Sequence, residues 1–182
     1  VPLPGAVSAV QRFGSMERHV LNFRLAAQAD SRVIFSWRND TRTRSMALTM
    51  DVIDPATHET WFAAALENPD RVMVMAEDSP SNGGNFPVAI VRFDVSGEEA
   101  LVSINMNPAA RGRGLAAPSL LGAEQFLTGG HMLTLIAEIK PENIASLRAF
   151  ERAGYQQVAP ASASADTQAE TVQYRKRLAR RR

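Results

Sequence analysis

Cysteine is absent from this chain of 182 residues, which excludes disulfides, thiolate catalysis and thiolate metal sites. It also excludes a thioester carried on the protein itself. No apolar run reaches membrane-spanning length, and no charged-then-apolar leader opens the chain. These absences point to a cytoplasmic protein without a membrane partner. Two phosphate-binding signatures are missing as well. No Gly-Lys-Ser/Thr closes a P-loop, and no GxGxxG marks a dinucleotide fold. No metal site is expected.

The length suits one α/β domain, and a hydrophobic fraction of 45% is enough for an ordinary core. The chain divides into a leader-like segment 1–15, a single domain 16–178 and a basic tail 179–182. The formal charge of +1 hides an asymmetry. Arg175, Lys176, Arg177, Arg180, Arg181 and Arg182 crowd the C-terminus, so the remainder is net acidic. No aromatic residue interleaves these cations after Tyr174, which makes the run a solvated tail and argues against a nucleic-acid partner.

Alternation predicts a strand over 20–26, and runs rich in Val, Ile and Met predict strands over 71–77, 87–95 and 100–107, with further strands over 132–139, 155–158 and 171–178. Helices are predicted from Asp30 to about Arg38 and from Asp54-Pro55 to near Asn68, where aspartate and an early proline suit a helix start. Two more follow, one after the 111–116 turn to about Thr128 and one over 143–153. The stretch 159–169 reads as a low-complexity loop.

One segment cannot be core. Arg111-Gly112-Arg113-Gly114-Leu115-Ala116 follows a strand and opens a helix. The two glycines let backbone approach a ligand closely. A helix N-terminus offers unpaired N–H groups to a phosphate, and Arg111 and Arg113 add complementary charge. A solvated loop before a helix is the alternative. Downstream, Asn143-x-x-Ser146-x-x-x-Phe150-x-x-x-Gly154-Tyr155 follows a separate strand. Asn143 alone reads equally well as a helix N-cap.

Together these blocks resemble those of the GNAT N-acetyltransferases. Arg111-x-x-Gly114-x-Ala116 is similar to that family's pyrophosphate loop, and the 143–155 block to the conserved stretch that follows. The resemblance covers roughly residues 20–178 and is closest over 100–158. It implies an α/β fold with a mixed, largely antiparallel sheet of about seven strands flanked by about four helices, splayed between strands four and five. Acetyl-CoA is the implied co-substrate. Its pantetheine would lie along main chain at Met106 and Asn107. Its pyrophosphate would meet N–H groups from Arg111, Gly112, Arg113, Gly114, Leu115 and Ala116, with Asn143 and Ser146 on the second wall.

The implied reaction is direct attack of an amine on the thioester, driven by orientation and oxyanion stabilisation. Two family features are missing. The usual acid, a tyrosine, is replaced by Phe150, and no carboxylate base sits at Ala100 or Leu101. Candidate replacements are His58, whose ordinary pKa suits a base, and Ser103 and Asn105, polar residues alternating on one strand face. A packed histidine remains the alternative for His58. On the acceptor side, Arg38, Asn39 and Trp61 are candidate binding residues, with Arg42 and Arg44 also placed to meet phosphates. The Trp37-Arg38-Asn39-Asp40 and His58-x-x-Trp61 pattern resembles a branch acting on amino-sugar nucleotides. The expected function is therefore acetyl transfer to a primary amine on a small molecule, an amino sugar or sugar nucleotide first. Protein N-terminal acetylation and a non-catalytic acyl-CoA-binding module are the alternatives, and a homodimer is left open.

Overall fold

The computed structural model describes residues 7–9, 20–79, 84–127, 132–158 and 171–179. In chain order these form β1 (Val7–Ala9), β2 (Leu21–Leu25), α1 (Ser31–Asn39), α2 (Thr41–Met46), α3 (Pro55–Glu67), β3 (Arg71–Asp78), β4 (Phe86–Ser96), β5 (Glu99–Met106), α4 (Ala116–Ala123), β6 (Met132–Ile139), α5 (Ile144–Arg152), β7 (Gln156–Val158) and β8 (Val172–Ala179). The strands make one sheet in the order β1-β2-β3-β4-β5-β6-β8-β7. Every neighbouring pair is antiparallel except β5–β6. This is the expected mixed sheet, and its central parallel pair is where the fourth and fifth expected strands meet.

Alternation along each strand divides the core between two faces. On one face Val74, Val91, Val102, Leu133 and Leu135 join Leu115 and Leu120 of the α4 region and Phe150 of α5. On the other, Met73, Met75 and Ile90 meet Ile34 and Trp37 of α1 and Phe62 and Ala65 of α3. Trp37 is thus a core residue. Close packing of α4 has a specific cause: a Cβ built on Gly122 would lie 2.0 Å from Phe23 Cζ, so only glycine lets the ring seat there.

Several boundaries differ from the sequence reading. The leader-like segment contributes β1, which pairs with β2 at Val7↔Phe23. A further helix, α2, follows α1 directly, because Asp40 accepts a hydrogen bond from the Thr43 N–H and caps it. Asp30 does not cap α1 with its side chain. Its carboxylate takes two bonds from Arg24, at 2.7 and 2.8 Å, and one from the Ala27 N–H. The α4 helix stops at Ala123 and tightens into a 3-10 turn over Glu124–Phe126, a common way to close a last turn. Its expected end at Thr128, the 159–169 loop and the arginines 180–182 lie outside the described residues. Arg175, Lys176 and Arg177, read as part of the basic run, belong to β8. Lys176 is half-buried and does structural work, donating to Glu124 Oε2 at 2.6 Å and the Ala153 carbonyl at 2.8 Å. Among the described residues, no helix is long and apolar enough to cross a membrane.

Candidate active site

The parallel strands part almost at once. β5 and β6 are in register only from Glu99↔Thr134 to Leu101↔Ile136, whereas β4 accompanies β5 to Met106 and β8 accompanies β6 to Ile139. Main-chain direction along β5 follows from two bonds. Asn107 N–H donates to Val88 O on the β4 side, and Thr134 N–H donates to Glu98 O on the β6 side. Backbone groups alternate sides at each residue of a strand, so Ile104 and Met106 turn their N–H and C=O groups into the open gap. The main chain of Met106 therefore faces the gap. Asn107 does not: its N–H is spent on Val88, its C=O accepts from Ala110, and its side chain bonds Pro87 O and the Ala109 N–H. Its work is to end β5 and start the turn.

After that turn, Gly112 and Gly114 take φ values of +76° and +74°. A Cβ at either would meet nothing within 4 Å, so backbone conformation rather than crowding requires glycine. Among the described residues, Gly112, Gly114, Leu115, Ala116 and Ala117 donate no backbone hydrogen bond. Leu115 supplies no side-chain cap to α4. The result is a set of orphan donors at a helix N-terminus, the chemistry that suits a pyrophosphate.

The two loop arginines face protein carboxylates. Arg111 Nη2 donates to Asp40 Oδ2 at 2.7 Å and Thr43 Oγ1 at 2.6 Å. These contacts hold the Asp40 carboxyl below the ordinary aspartate range, the arginine hydrogen bond acting first and the Thr43 N–H second. Arg113 Nη2 donates to Asp78, which is 1% exposed, at 2.7 Å. The side chains thus anchor the loop, leaving its main-chain donors free. Arg111 makes both bonds through one nitrogen, so Nε and Nη1 remain for a ligand.

Across the gap, Asn143 caps α5, its Oδ1 accepting from Ser146 N–H at 3.2 Å. Among the described residues its Nδ2 has no partner, which leaves a donor beside the half-buried Ser146. Capping and ligand binding are compatible here. Phe150 packs edge-to-face on Tyr155, centroids 4.9 Å apart. Tyr155 is 2% exposed, and burial followed by the neighbouring Glu124 charge pushes its phenol pKa up. Neither aromatic is placed as a proton donor.

Ser103 and Asn105 lie opposite Arg92 and Ile90 of β4. That register puts them on the α1–α3 face, the opposite one from Val102. Neither side chain has a hydrogen bond among the described residues, and Ser103 is exposed. His58 lies deeper in the same layer. It is 3% exposed, with Nε2 3.0 Å from the Ser31 carbonyl oxygen. Because that oxygen can only accept, Nε2 carries a proton and ties α3 to α1. Phe35, Trp61 and Phe62 surround the ring at 5.2, 5.9 and 5.6 Å. This is the environment of a packed histidine. Trp61, 37% exposed, lies 5.7 and 5.8 Å from the guanidinium carbons of Arg71 and Arg92, both paired with Asp94.

Asn39 is committed to backbone, its amide exchanging two bonds with Ile53 at 2.8 and 2.9 Å. Arg38 donates through Nη2 to Thr49 O at 2.6 Å, yet its Nη1 is buried without a partner. Burial first, and then the charge of Arg44, lowers the Arg38 pKa from its ordinary value. Sequence reasoning missed Asp40, Thr43 and Lys140. An aspartate three residues before Thr43 was a legible capping signal for the first two; nothing local marks Lys140.

The matches to known proteins agree with this architecture. A family model described as an acetyltransferase (GNAT) domain matches residues 21–156. Spermidine N-acetyltransferase from Vibrio cholerae, solved with CoA and spermine, aligns with a TM-score of 0.69 at 13% identity, over 87% of this chain and 94% of that one. An aminoglycoside acetyltransferase with coenzyme A and kanamycin gives 0.66 at 15% identity, over 86% and 94%. A domain from Methanocaldococcus jannaschii gives 0.68 at 15% identity, over 88% and 99%. No curated protein matches in sequence. The family match spans most of the chain and includes both walls of the gap, and the protein accordingly belongs to the GNAT acetyltransferase family.

Proposed function

We propose that the acceptor is a small primary amine bearing an anionic group, an amino sugar or sugar nucleotide above all. The observation that carries this reading is Arg38, whose Nη1 is buried without a partner. A buried cationic donor left unsatisfied is costly, and a phosphate or carboxylate oxygen of the acceptor would satisfy it. Asp40 is paired with Arg111, and Asp94 with Arg71 and Arg92, while the charge of Asp51 reaches Arg38 without pairing with it.

In this reading Ile104 and Met106 pair through their main chain with the pantetheine arm as an added strand would. Donors at Gly112, Gly114, Leu115 and Ala116 hold the pyrophosphate, and Asn143 Nδ2 bonds the arm from the other wall. Ser103 and Asn105 hold the water that receives the amine's proton, and His58 holds α3 in place. Trp61 offers its half-exposed ring as a rim for the sugar or base.

The test is thiol release from acetyl-CoA across amino sugars, amino-sugar nucleotides, polyamines, aminoglycosides and N-terminal peptides. Turnover is expected with phosphate-bearing amino sugars, and Arg38→Ala should raise their KM while sparing CoA binding. Turnover confined to polyamines or aminoglycosides would overturn the anionic acceptor.

A further inference from the structure

The α2 helix is six residues long and buries none of them. A helix this short does not persist by propensity, and no apolar face holds it to the core. Its position must come from polar ties: Arg44 bonds its own flanks at the Asn39 and Met50 carbonyls, and two further ties come from the two sides of the gap. Arg111 arrives from the loop that leaves the carboxyl end of β5, and it bonds Asp40 and Thr43 in the first turn of α2. Lys140 follows Ile139, the last residue of β6, and its ammonium donates to the carbonyl of Ser45 at the other end of α2, at 3.3 Å. Lys140 is 7% exposed, an expensive place for a cation. The Ser45 carbonyl is its ammonium's one hydrogen-bond partner among the described residues. A carbonyl at a helix C-terminus is the neutral group best suited to receive it.

From this arrangement we infer that α2 is a strap across the open end of the β5–β6 gap, fastened at both lips, and that Lys140 is a positioning residue for acetyl transfer. The strap shields the thioester from bulk water and forms the wall an acceptor must pass. Because Arg111 belongs to the phosphate-facing loop, cofactor binding and the acceptor wall share one fastening. The inference rests on the reading that acetyl-CoA occupies this gap.

Its test needs no acceptor. Wild type, Lys140→Met and Lys140→Arg are compared by thiol release from acetyl-CoA in water alone, by calorimetric CoA binding, and by amide exchange over residues 43–46. Loss of one hydrogen bond of this kind should open the strap about fivefold more often. Lys140→Met is therefore expected to speed α2 exchange and acetyl-CoA hydrolysis by about that factor, with CoA affinity unchanged, and Lys140→Arg to restore both. A mere stabiliser of the fold would not raise hydrolysis at constant affinity. Hydrolysis and α2 exchange equal to wild type in Lys140→Met would overturn the strap. Failure of the wild type to bind CoA would overturn the site reading instead, and the exchange comparison would still decide whether Lys140 fastens α2.

Discussion

Gly122→Ala should destabilise the protein, against the usual sign for a helix. Inside an exposed helix this change gains about 1 kcal/mol, since alanine surrenders less backbone entropy than glycine. Here the new Cβ would stand 2.0, 2.3 and 2.4 Å from Cζ, Cε2 and Cε1 of Phe23. Phe23 is 3% exposed and caged by the sheet and α4, so its ring cannot swing into water. Overpacking of this kind costs about 1–3 kcal/mol. An overlap with three ring atoms belongs at the top of that range, which leaves a net loss of about 2 kcal/mol. For a domain of this size each kcal/mol moves Tm by about 2–4 °C, so a fall of roughly 4–8 °C is expected. Urea unfolding on a double-mutant cycle with Phe23→Leu isolates the cause. In the Phe23→Leu background, where the ring is gone, Gly122→Ala should become neutral or stabilising. A Gly122→Ala protein as stable as wild type with Phe23 intact would refute the packing argument, and with it the account of how α4 is seated beneath its phosphate-facing end.

Gly114→Ala should fold, because a Cβ there meets nothing, but a residue with a side chain resists φ of +74° by about 1–2 kcal/mol. CoA affinity should drop about fivefold to thirtyfold by calorimetry, and unchanged affinity would remove the main-chain phosphate site. His58→Ala should cost about 3 kcal/mol in urea unfolding, from the cavity and the orphaned Ser31 carbonyl. Turnover of the folded fraction should stay within about threefold; a loss of orders of magnitude at intact stability would make His58 the base. Asp40 has a folded-state pKa below its unfolded one, so its stabilising effect is complete above the ordinary carboxylate value and is lost as pH falls through the folded value. The stability gap between wild type and Asp40→Asn should therefore close as pH falls below the ordinary carboxylate value. A gap independent of pH there would mean that the Arg111–Asp40 pair contributes nothing by its charge.

Local patterns carried most of the fold. Alternation located β2, richness in Val, Ile and Met located β3, β4 and β5, and Asp54-Pro55 marked the start of α3. Gly112, Gly114 and Asn143 were legible because those positions serve backbone needs, a positive φ or a cap, that show in residue type. The α2 helix escaped because it has no apolar periodicity, and β1 because three residues carry no readable pattern.

Residue type alone pointed to the family and to the exposed backbone donors of the 111–116 turn, since each depends on residues near one another in the chain. Partners distant in sequence were settled only by folding. Arg111 was legible as a cation beside a phosphate loop, but its bond to Asp40, 71 positions away, exists only because β5 and α1 end at the same place. Lys140 reads as one more surface lysine until β6 carries it to α2. His58 could be base or packing residue by type, and the Ser31 carbonyl with three aromatic neighbours gives it a packed setting. A side chain's chemistry is written in the sequence; which of its charges are free to act depends on what the tertiary structure has already paired.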